Sequence, residues 1–366
     1  MVAARRRVVK GQRKQRKASA WIAAQNREKA PSGSPYVVGF FLVPSFPMMS
    51  FAAAIEPLRS ANRLRGARLF DWRLYSRDGA PVHASNGVAI AVHAGIGDNA
   101  LVDLLLVCAG TRDAGAGDAG LAKWLRAQAR RGVAIGGVSL GSYALAHAGL
   151  LDGRRCALHW ESLAAFAERF PRVRTTPDLF VADGDRRTCS GGTAALDMML
   201  ALIAEREGGA LANDVSEQFI HPRIRRTDDP QRMPVQTRVG VANDKLVAAV
   251  AMMESSSDEP HRVQAIAAAV GLSQRQLERL FVKYLEARPA RYYLALRLAR
   301  ARMLLLQTAK PILDVAVSCG FASASHFSRC YRAAYGRRPS DERQGRSGEA
   351  PRRPSRSARR RYSLPA

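Results

Sequence analysis

Gly137-Val138-Ser139-Leu140-Gly141 fits G-x-S-x-G, with an apolar run before it and a helical pattern after it. That is the setting of a nucleophile elbow, where a serine sits on a tight strand-to-helix turn with its hydroxyl presented outward. Taken alone, these five residues suggest a serine hydrolase. Such an enzyme places an acid and then a histidine after the serine, with the histidine late in the fold. Here His159 follows by only twenty residues, and no HGGG-type loop is present. A hydroxyl near its free pKa is a weak nucleophile without an adjacent base. Lacking one, the turn becomes a rigid platform of backbone amides at a helix N-terminus, suited to holding a carboxylate without transforming it. His83, His93, His147, His221, His261 and His326 show no ligand spacing, and Cys156 with His159 is too sparse to hold zinc. No GxGxxG or Walker pattern occurs. We therefore expect no metal and no cofactor.

The surrounding pattern must position that serine. Residues 36–43, 101–108 and 133–138 are continuous apolar runs, which suit strands buried on both faces of a parallel sheet. Residues 72–76 and 88–92 alternate like strands, and residues 155–160 read as a short strand. Helical patterns run from about Ser50 through Leu64, over 121–131, from Gly141 to Leu150, over 162–170 and over 193–207. Residues 179–190 read as a hairpin turning at Asp183-Gly184-Asp185. Alternating strands and helices imply an α/β domain over residues 36–220. After Gln218 the pattern fades into Pro- and Arg-rich sequence, so 221–243 is expected to be an interdomain linker.

A second constellation lies beyond it. Counting fifty residues from Ser273, Leu277, Arg279, Phe281 and Pro289 gives Ser323, Phe327, Arg329, Tyr331 and Pro339. A fixed repeat means a duplicated structural unit. Each copy runs from an Ala-rich helical segment through Gly271-Leu272 or Gly320-Phe321 to a serine suited to cap the next helix, which is a helix-turn-helix. In the first copy Leu277, Leu280, Phe281 and Tyr284 share one expected buried face, leaving Gln274, Arg275, Glu278 and Arg279 outside. In the second, Phe327 and Tyr331 pack, leaving Ser323, Ser325, His326, Arg329 and Arg332 outside. Arg can fork to guanine or phosphate and Ser or His can donate to base edges, which suits helices laid in major grooves of double-stranded DNA.

The 366-residue chain is long enough for two cored domains, and its net charge is +26. Residues 1–35 hold +9 and residues 343–366 hold +7, so the excess is concentrated in two apolar-poor tails expected to be disordered. The remaining regions are milder, at +4 for 36–243 and +6 for 244–342. Five cysteines without a CxxC pair suit a reduced cytoplasmic compartment. No apolar stretch has the length a membrane helix requires.

Residues 246–343 resemble the double helix-turn-helix module of AraC/XylS-family transcription regulators, carried by the two copies, Cys319-Gly320-Phe321 and the linking segment 290–307. Residues 36–220 resemble the flavodoxin-like, class I glutamine amidotransferase-like fold in its PfpI-like branch. That likeness rests on residues 54–59 with Asn62, residues 84–87, the Ser139 elbow, residues 150–154 with His159-Trp160-Glu161, and residues 189–197. The combination resembles GlxA-type regulators. Enzymes of this fold carry cysteine at the elbow; here it is Ser139, and no cysteine lies close enough to substitute.

The resemblance implies a ligand-responsive, probe-and-sensor regulator and not an enzyme, with a PfpI-like amidohydrolase using Ser139 as the alternative. It implies DNA contacts from Arg275, Glu278 and Arg279 in the first helix and from Ala324, Ser325, His326 and Arg329 in the second. Ser273 and Ser323, at the helix starts, are expected among the DNA-binding residues as well. It implies a small nitrogenous effector of the betaine, carnitine or amino-acid class near Glu56, Asn62, Ser139, Leu140, His159, Trp160 and Glu161. Trp160 and Phe46 would face a quaternary ammonium, Glu56 or Glu161 would supply counter-charge, and the Ser139 and Leu140 amides would take a carboxylate. A homodimer is expected, with RNA polymerase as a candidate further contact. The expected division is 1–35 tail, 36–220 sensor, 221–243 linker, 244–342 DNA-binding domain and 343–366 tail.

Overall fold

The computed structural model describes residues 34–98, 101–111, 114–256, 258–308 and 310–344. It divides into two compact units that meet in the sequence between Gln231 and Arg232. The two expected basic tails fall almost wholly outside the described residues.

The first unit opens with β1 (Tyr36–Leu42), α1 (Met48–Arg65) and β2 (Phe70–Tyr75), followed by the two-residue strands β3 (Val82–His83) and β4 (Ala89–Ile90). Then come β5 (Leu104–Ala109), α2 (Ala119–Arg130), β6 (Ala134–Ser139) and α3 (Gly141–His147). The remainder is β7 (Arg155–Ala157), α4 (Leu163–Arg169), β8 (Arg174–Thr176), β9 (Phe180–Asp183), β10 (Arg186–Cys189), α5 (Ala194–Glu207) and α6 (Gly209–Gln218).

Six strands form one sheet in the order β2-β1-β5-β6-β10-β9, parallel except for the β9–β10 hairpin. This is the flavodoxin-like order with one antiparallel edge strand. Leu104 through Ala109 are all buried, as the unbroken apolar run demands of a strand covered on both faces. One apolar layer joins the sheet to α1, α5 and α6 through Phe51, Leu58, Met199, Ile203 and Val215. The opposite layer joins it to α2, α3 and α4 through Leu121, Leu125, Tyr143 and Phe166.

Two expectations need revision here. The alternating run 88–92 yields only the short strand β4, paired to β3 apart from the main sheet. Asn62, expected at the effector site, instead holds the turn after α1: its amide donates to Phe70 O at 2.7 Å, and its oxygen accepts from the N–H groups of Leu69 and Phe70 at 2.9 Å.

The second unit contains α7 (Val235–Val239), α8 (Asp244–Ser255), α9 (Val263–Ala269), α10 (Gln274–Leu285), α11 (Pro289–Gln307), α12 (Ile312–Ser318), α13 (Ala324–Tyr335) and α14 (Pro339–Gln344). It has two cores. The first gathers Leu246, Ile266, Leu277, Phe281 and Tyr292; the second gathers Leu298, Leu305, Val315, Phe327 and Tyr331. Helix α11 supplies residues to both, which makes it the rigid connection expected of residues 290–307. On α10 the buried face is Leu277, Phe281 and Leu285, whereas Tyr284 is 38% exposed, so the expected stripe is rotated by one residue at its C-terminal end.

The segment expected as the interdomain linker, 221–243, is divided between the units. Residues 221–231 are tied back onto the first unit by side-chain bonds described below. Residues 232–239 belong to the second, where Arg238 forks onto Glu254 at 2.8 and 2.7 Å and Arg232 stands 3.7 Å from the same carboxylate. Pro and Arg richness suppressed the periodicity of this stretch without freeing its polar groups.

Candidate functional site

Ser139 is the last residue of β6 and has φ +58°, a left-handed conformation that a non-glycine residue holds only when its surroundings impose it. The imposing contacts are close. A Cβ on Gly141 would lie 1.8 Å from Val107 O, so only glycine lets the chain turn there against β5. Gly191, at φ +98°, faces the serine so closely that a Cβ would come within 2.8 Å of Ser139 Cβ. The loop after β10 therefore forms one wall of the Ser139 site. Ser50 from the first turn of α1 secures it, accepting from the Gly192 N–H at 2.7 Å.

Strand pairing brings Cys189 beside the elbow, opposite Val138. Fifty residues separate it from Ser139 in the sequence, so a thiol lies nearer the elbow than expected, though it does not substitute for the nucleophile. Its chemistry is nonetheless inert. Burial pushes the Cys189 thiol up to about 11, against the pull of the Ser139 and Gly191 backbone N–H groups. Burial likewise pushes Cys156 to about 11, with the Ser142 and Thr188 hydroxyls pulling the other way. Both remain protonated thiols at neutral pH, and the thiolate is the reactive form.

The remaining expected residues divide. Ser139, His159, Trp160 and Glu161 are presented at the surface or half-buried, the last three following β7, which Thr188 ties to β10 by accepting from the Ala157 N–H at 2.9 Å. His159 has its contacts within its own loop. Its Nδ1 lies 3.7 Å from the Glu161 carboxylate and its ring stands 5.5 Å from that of Trp160. The Leu140 amide is not available for a carboxylate, because it donates to Ala109 O at 3.0 Å. Glu56 pairs with Arg59 at 2.7 Å on the surface of α1. Phe46 is fully buried, edge-on to Phe51 at 5.6 Å, and cannot face a ligand.

In the second unit the capping serines are confirmed in detail. Ser273 accepts from Gln276 N–H at 3.2 Å while Gln276 returns a bond to Ser273 N–H at 2.8 Å, and Ser323 accepts from His326 N–H at 3.2 Å. Their hydroxyls are thus engaged in starting the helices. Arg275 and Arg279 on α10, and Ser325, His326 and Arg329 on α13, are exposed. Glu278 is half-buried and accepts from Gln274 at 2.8 Å; Ala324 is half-buried. Both polar faces therefore point outward, while Leu277 and Phe281, or Phe327 and Tyr331, point inward with no exposure.

The turns before these helices are also duplicated. Leu272 N–H donates to Ala267 O at 2.9 Å and Phe321 N–H donates to Ala316 O at 3.0 Å. Each turn is held by a cation that the sequence reading missed. Lys245 donates to Gly271 O at 3.1 Å. Arg297, from α11, donates to Cys319 O at 2.8 Å and Gly320 O at 2.5 Å and lies 4.3 Å over the Phe321 ring. Burial pulls the Arg297 pKa below the ordinary arginine value. No periodicity marks such a residue; only the fold shows which carbonyls it reaches.

Residues 46–205 match the DJ-1/PfpI family and residues 266–345 match a Helix-turn-helix domain family. Among known proteins, the chain is 48% identical over 324 residues to the HTH-type transcriptional regulator GbdR of Pseudomonas aeruginosa, covering 88% of this chain and 87% of that one. It is 46% identical over 304 residues to the HTH-type transcriptional regulator CdhR of the same species, covering 83% and 90%. It is 36% identical over 312 residues to the HTH-type transcriptional regulator GlxA of Rhizobium meliloti, covering 85% and 96%. The chain belongs to the GlxA-like AraC-family regulators.

As an AraC-family regulator it binds DNA, and its role is regulatory, not enzymatic. Among the described residues, no helix is long and apolar enough to cross a membrane, and no group of three or more His, Cys, Asp or Glu could hold a metal ion.

Proposed function

We propose that this AraC-family regulator senses a small nitrogenous metabolite of the betaine, carnitine or amino-acid class at the Ser139 site and converts its presence into altered transcription. The observation that carries this reading is the elbow itself. Ser139 keeps the strained outward geometry of a nucleophile, yet it offers a hydroxyl where enzymes of the resembled fold carry a cysteine, and the neighbouring Cys189 is a buried, protonated thiol. Such a site retains the shape for recognition and lacks the thiol for turnover.

The Ser139 hydroxyl supplies a polar anchor, the half-buried Trp160 an aromatic face for a quaternary ammonium, and Glu161 the balancing charge. With the Leu140 amide occupied, a carboxylate would rest on the Ser139 hydroxyl and the Gly191 loop. The protein acts in the cytoplasm as a homodimer, reads two successive major grooves per protomer with α10 and α13, and meets RNA polymerase at the promoter.

A thermal-shift screen with glycine betaine, carnitine, choline and arginine tests the sensor reading, since a ligand at 100 times its Kd stabilises the folded state by about 2.7 kcal/mol. Trp160→Ala should weaken the quaternary ammonium hits by about 2- to 30-fold, the range of a cation–π contact. Hits unaffected by both Trp160→Ala and Ser139→Ala would place the site elsewhere.

A further inference from the structure

Residues 220–231 leave α6 and return across the sensor unit along a path made almost entirely of polar contacts. His221 Nε2 lies 3.0 Å from the carboxylate of Asp197, which has no exposure. Arg225 meets the same carboxylate through its backbone N–H at 2.7 Å, Nε at 2.9 Å and Nη2 at 2.6 Å, and reaches Thr193 Oγ1 at 2.7 Å. Thr227 O accepts from Leu179 N–H at 2.8 Å. Gln231 closes the path: its oxygen accepts from the Trp160 N–H at 2.8 Å, and its amide donates to Leu158 O at 2.7 Å and to Pro177 O and Asp178 O at 2.9 Å.

These anchors flank the effector site on two sides. Thr193 follows directly on Gly191 and Gly192, the loop pressed against Ser139. Gln231 holds the backbone of Trp160, the residue assigned the aromatic face above. It is also the last residue of the sensor unit, with Arg232 beginning the DNA-binding unit. We propose that residues 220–231 are a strap that couples the effector site to the DNA-binding unit, with Gln231 as its clasp and a positioning residue for Trp160.

The reasoning is mechanical. A ligand shifts an equilibrium only by binding its two states differently. Any movement of the 158–160 backbone on ligand binding must either carry Gln231 with it, against its bonds to Pro177 O and Asp178 O, or break the two bonds to Leu158 and Trp160, and either outcome resets the chain immediately before the second unit. The composition of the strap suits a switch. Apart from Ile224 it contributes little to the apolar layer; the buried Asp197 pair anchors it, while the bonds of the half-buried Gln231 can be exchanged for water at smaller net cost. A purely structural connection would be expected to bury apolar side chains instead.

This inference rests on the sensor reading above, and the test separates the two. Operator duplexes are selected from a random-sequence pool by the full-length wild-type chain, and their affinity is read by fluorescence anisotropy with and without glycine betaine and carnitine. Allosteric coupling in the usual range would shift wild-type operator affinity by about 5- to 150-fold. In Gln231→Ala we expect betaine or carnitine to bind more weakly by calorimetry, as a displaced Trp160 requires, so operator affinity is read at saturating effector, and the sensor unit still to melt cooperatively. The effector-induced shift should fall below about threefold, and effector-free operator affinity should move from wild type by at least about threefold. Gln231→Glu, which sets a carboxylate against three carbonyls, should behave like the alanine variant. Wild-type effector response and effector-free affinity in both variants would overturn the strap. If neither compound alters wild-type operator affinity, the proposed effector class fails. The strap then stands or falls on the effector-free affinity of Gln231→Ala alone.

Discussion

Asp197→Ala is the most direct probe of what holds the sensor unit's C-terminal segment in place. The carboxylate has no exposure and accepts three bonds from Arg225 and one from His221. Removing one partner of a buried pair costs about 3–5 kcal/mol, because the remaining charge is left uncompensated. Two features place this case near the lower end. The Arg225 side chain is 26% exposed, so water reaches the guanidinium, and Thr193 Oγ1 still accepts from it. We therefore expect a loss of about 3 kcal/mol, which for a domain of this size lowers Tm by about 6–12 °C. Asp197→Asn keeps the volume but turns an amide toward the guanidinium, and should recover only part of the loss. The assay is thermal unfolding of the full-length chain followed by circular dichroism, with limited trypsin cleavage at Arg223, Arg225 and Arg226 as a local readout. A melt within about 2 °C of wild type and unchanged cleavage would refute the reasoning, since no buried charge pair of ordinary strength could be lost so cheaply.

Three further outcomes are expected. Arg279→Ala and Arg329→Ala should each weaken operator binding by about 1–3 kcal/mol, and together should abolish discrimination from random duplex while leaving the melt unchanged; retained discrimination in a competition gel shift would remove α10 and α13 as the reading helices. Arg297→Ala should destabilise the second unit by about 2–3 kcal/mol, and Arg297→Lys should not restore it, because one ammonium cannot fork to two carbonyls and stack on Phe321; differential scanning calorimetry reads both. Cys156, Cys189 and Cys319, each pushed by burial from 9.0 to about 11, should resist iodoacetamide in the native state at about pH 8, whereas the half-buried Cys330 reacts first. Because the folded state keeps these protons where the unfolded chain releases them, stability should be undiminished below about pH 9 and fall as pH rises toward 11. A Tm that holds steady from about pH 8 to 10.5 would contradict that.

What the residues alone determined is the part governed by local pattern. Leu104 to Ala109 could only be a strand covered on both faces, Ser273 with Gln276 could only begin a helix, and the fifty-residue repeat required two like units whose apolar positions face inward and whose arginines face outward. Those signals survive because each depends on neighbours a few positions away. The tertiary structure decided everything that depends on partners far apart in the chain. It placed Cys189 beside Ser139, bonded Leu140 N–H to Ala109, withdrew Asn62 into a turn and sent Arg297 to the carbonyls of a distant helix end. It also converted an apparent linker into a polar strap. The sequence of residues 221–231 reads as loop because charged and proline-rich stretches carry no periodicity. Whether such a stretch moves freely or is fastened depends on where Asp197, Leu158 and Trp160 wait to meet it, and only the folded chain brings them there.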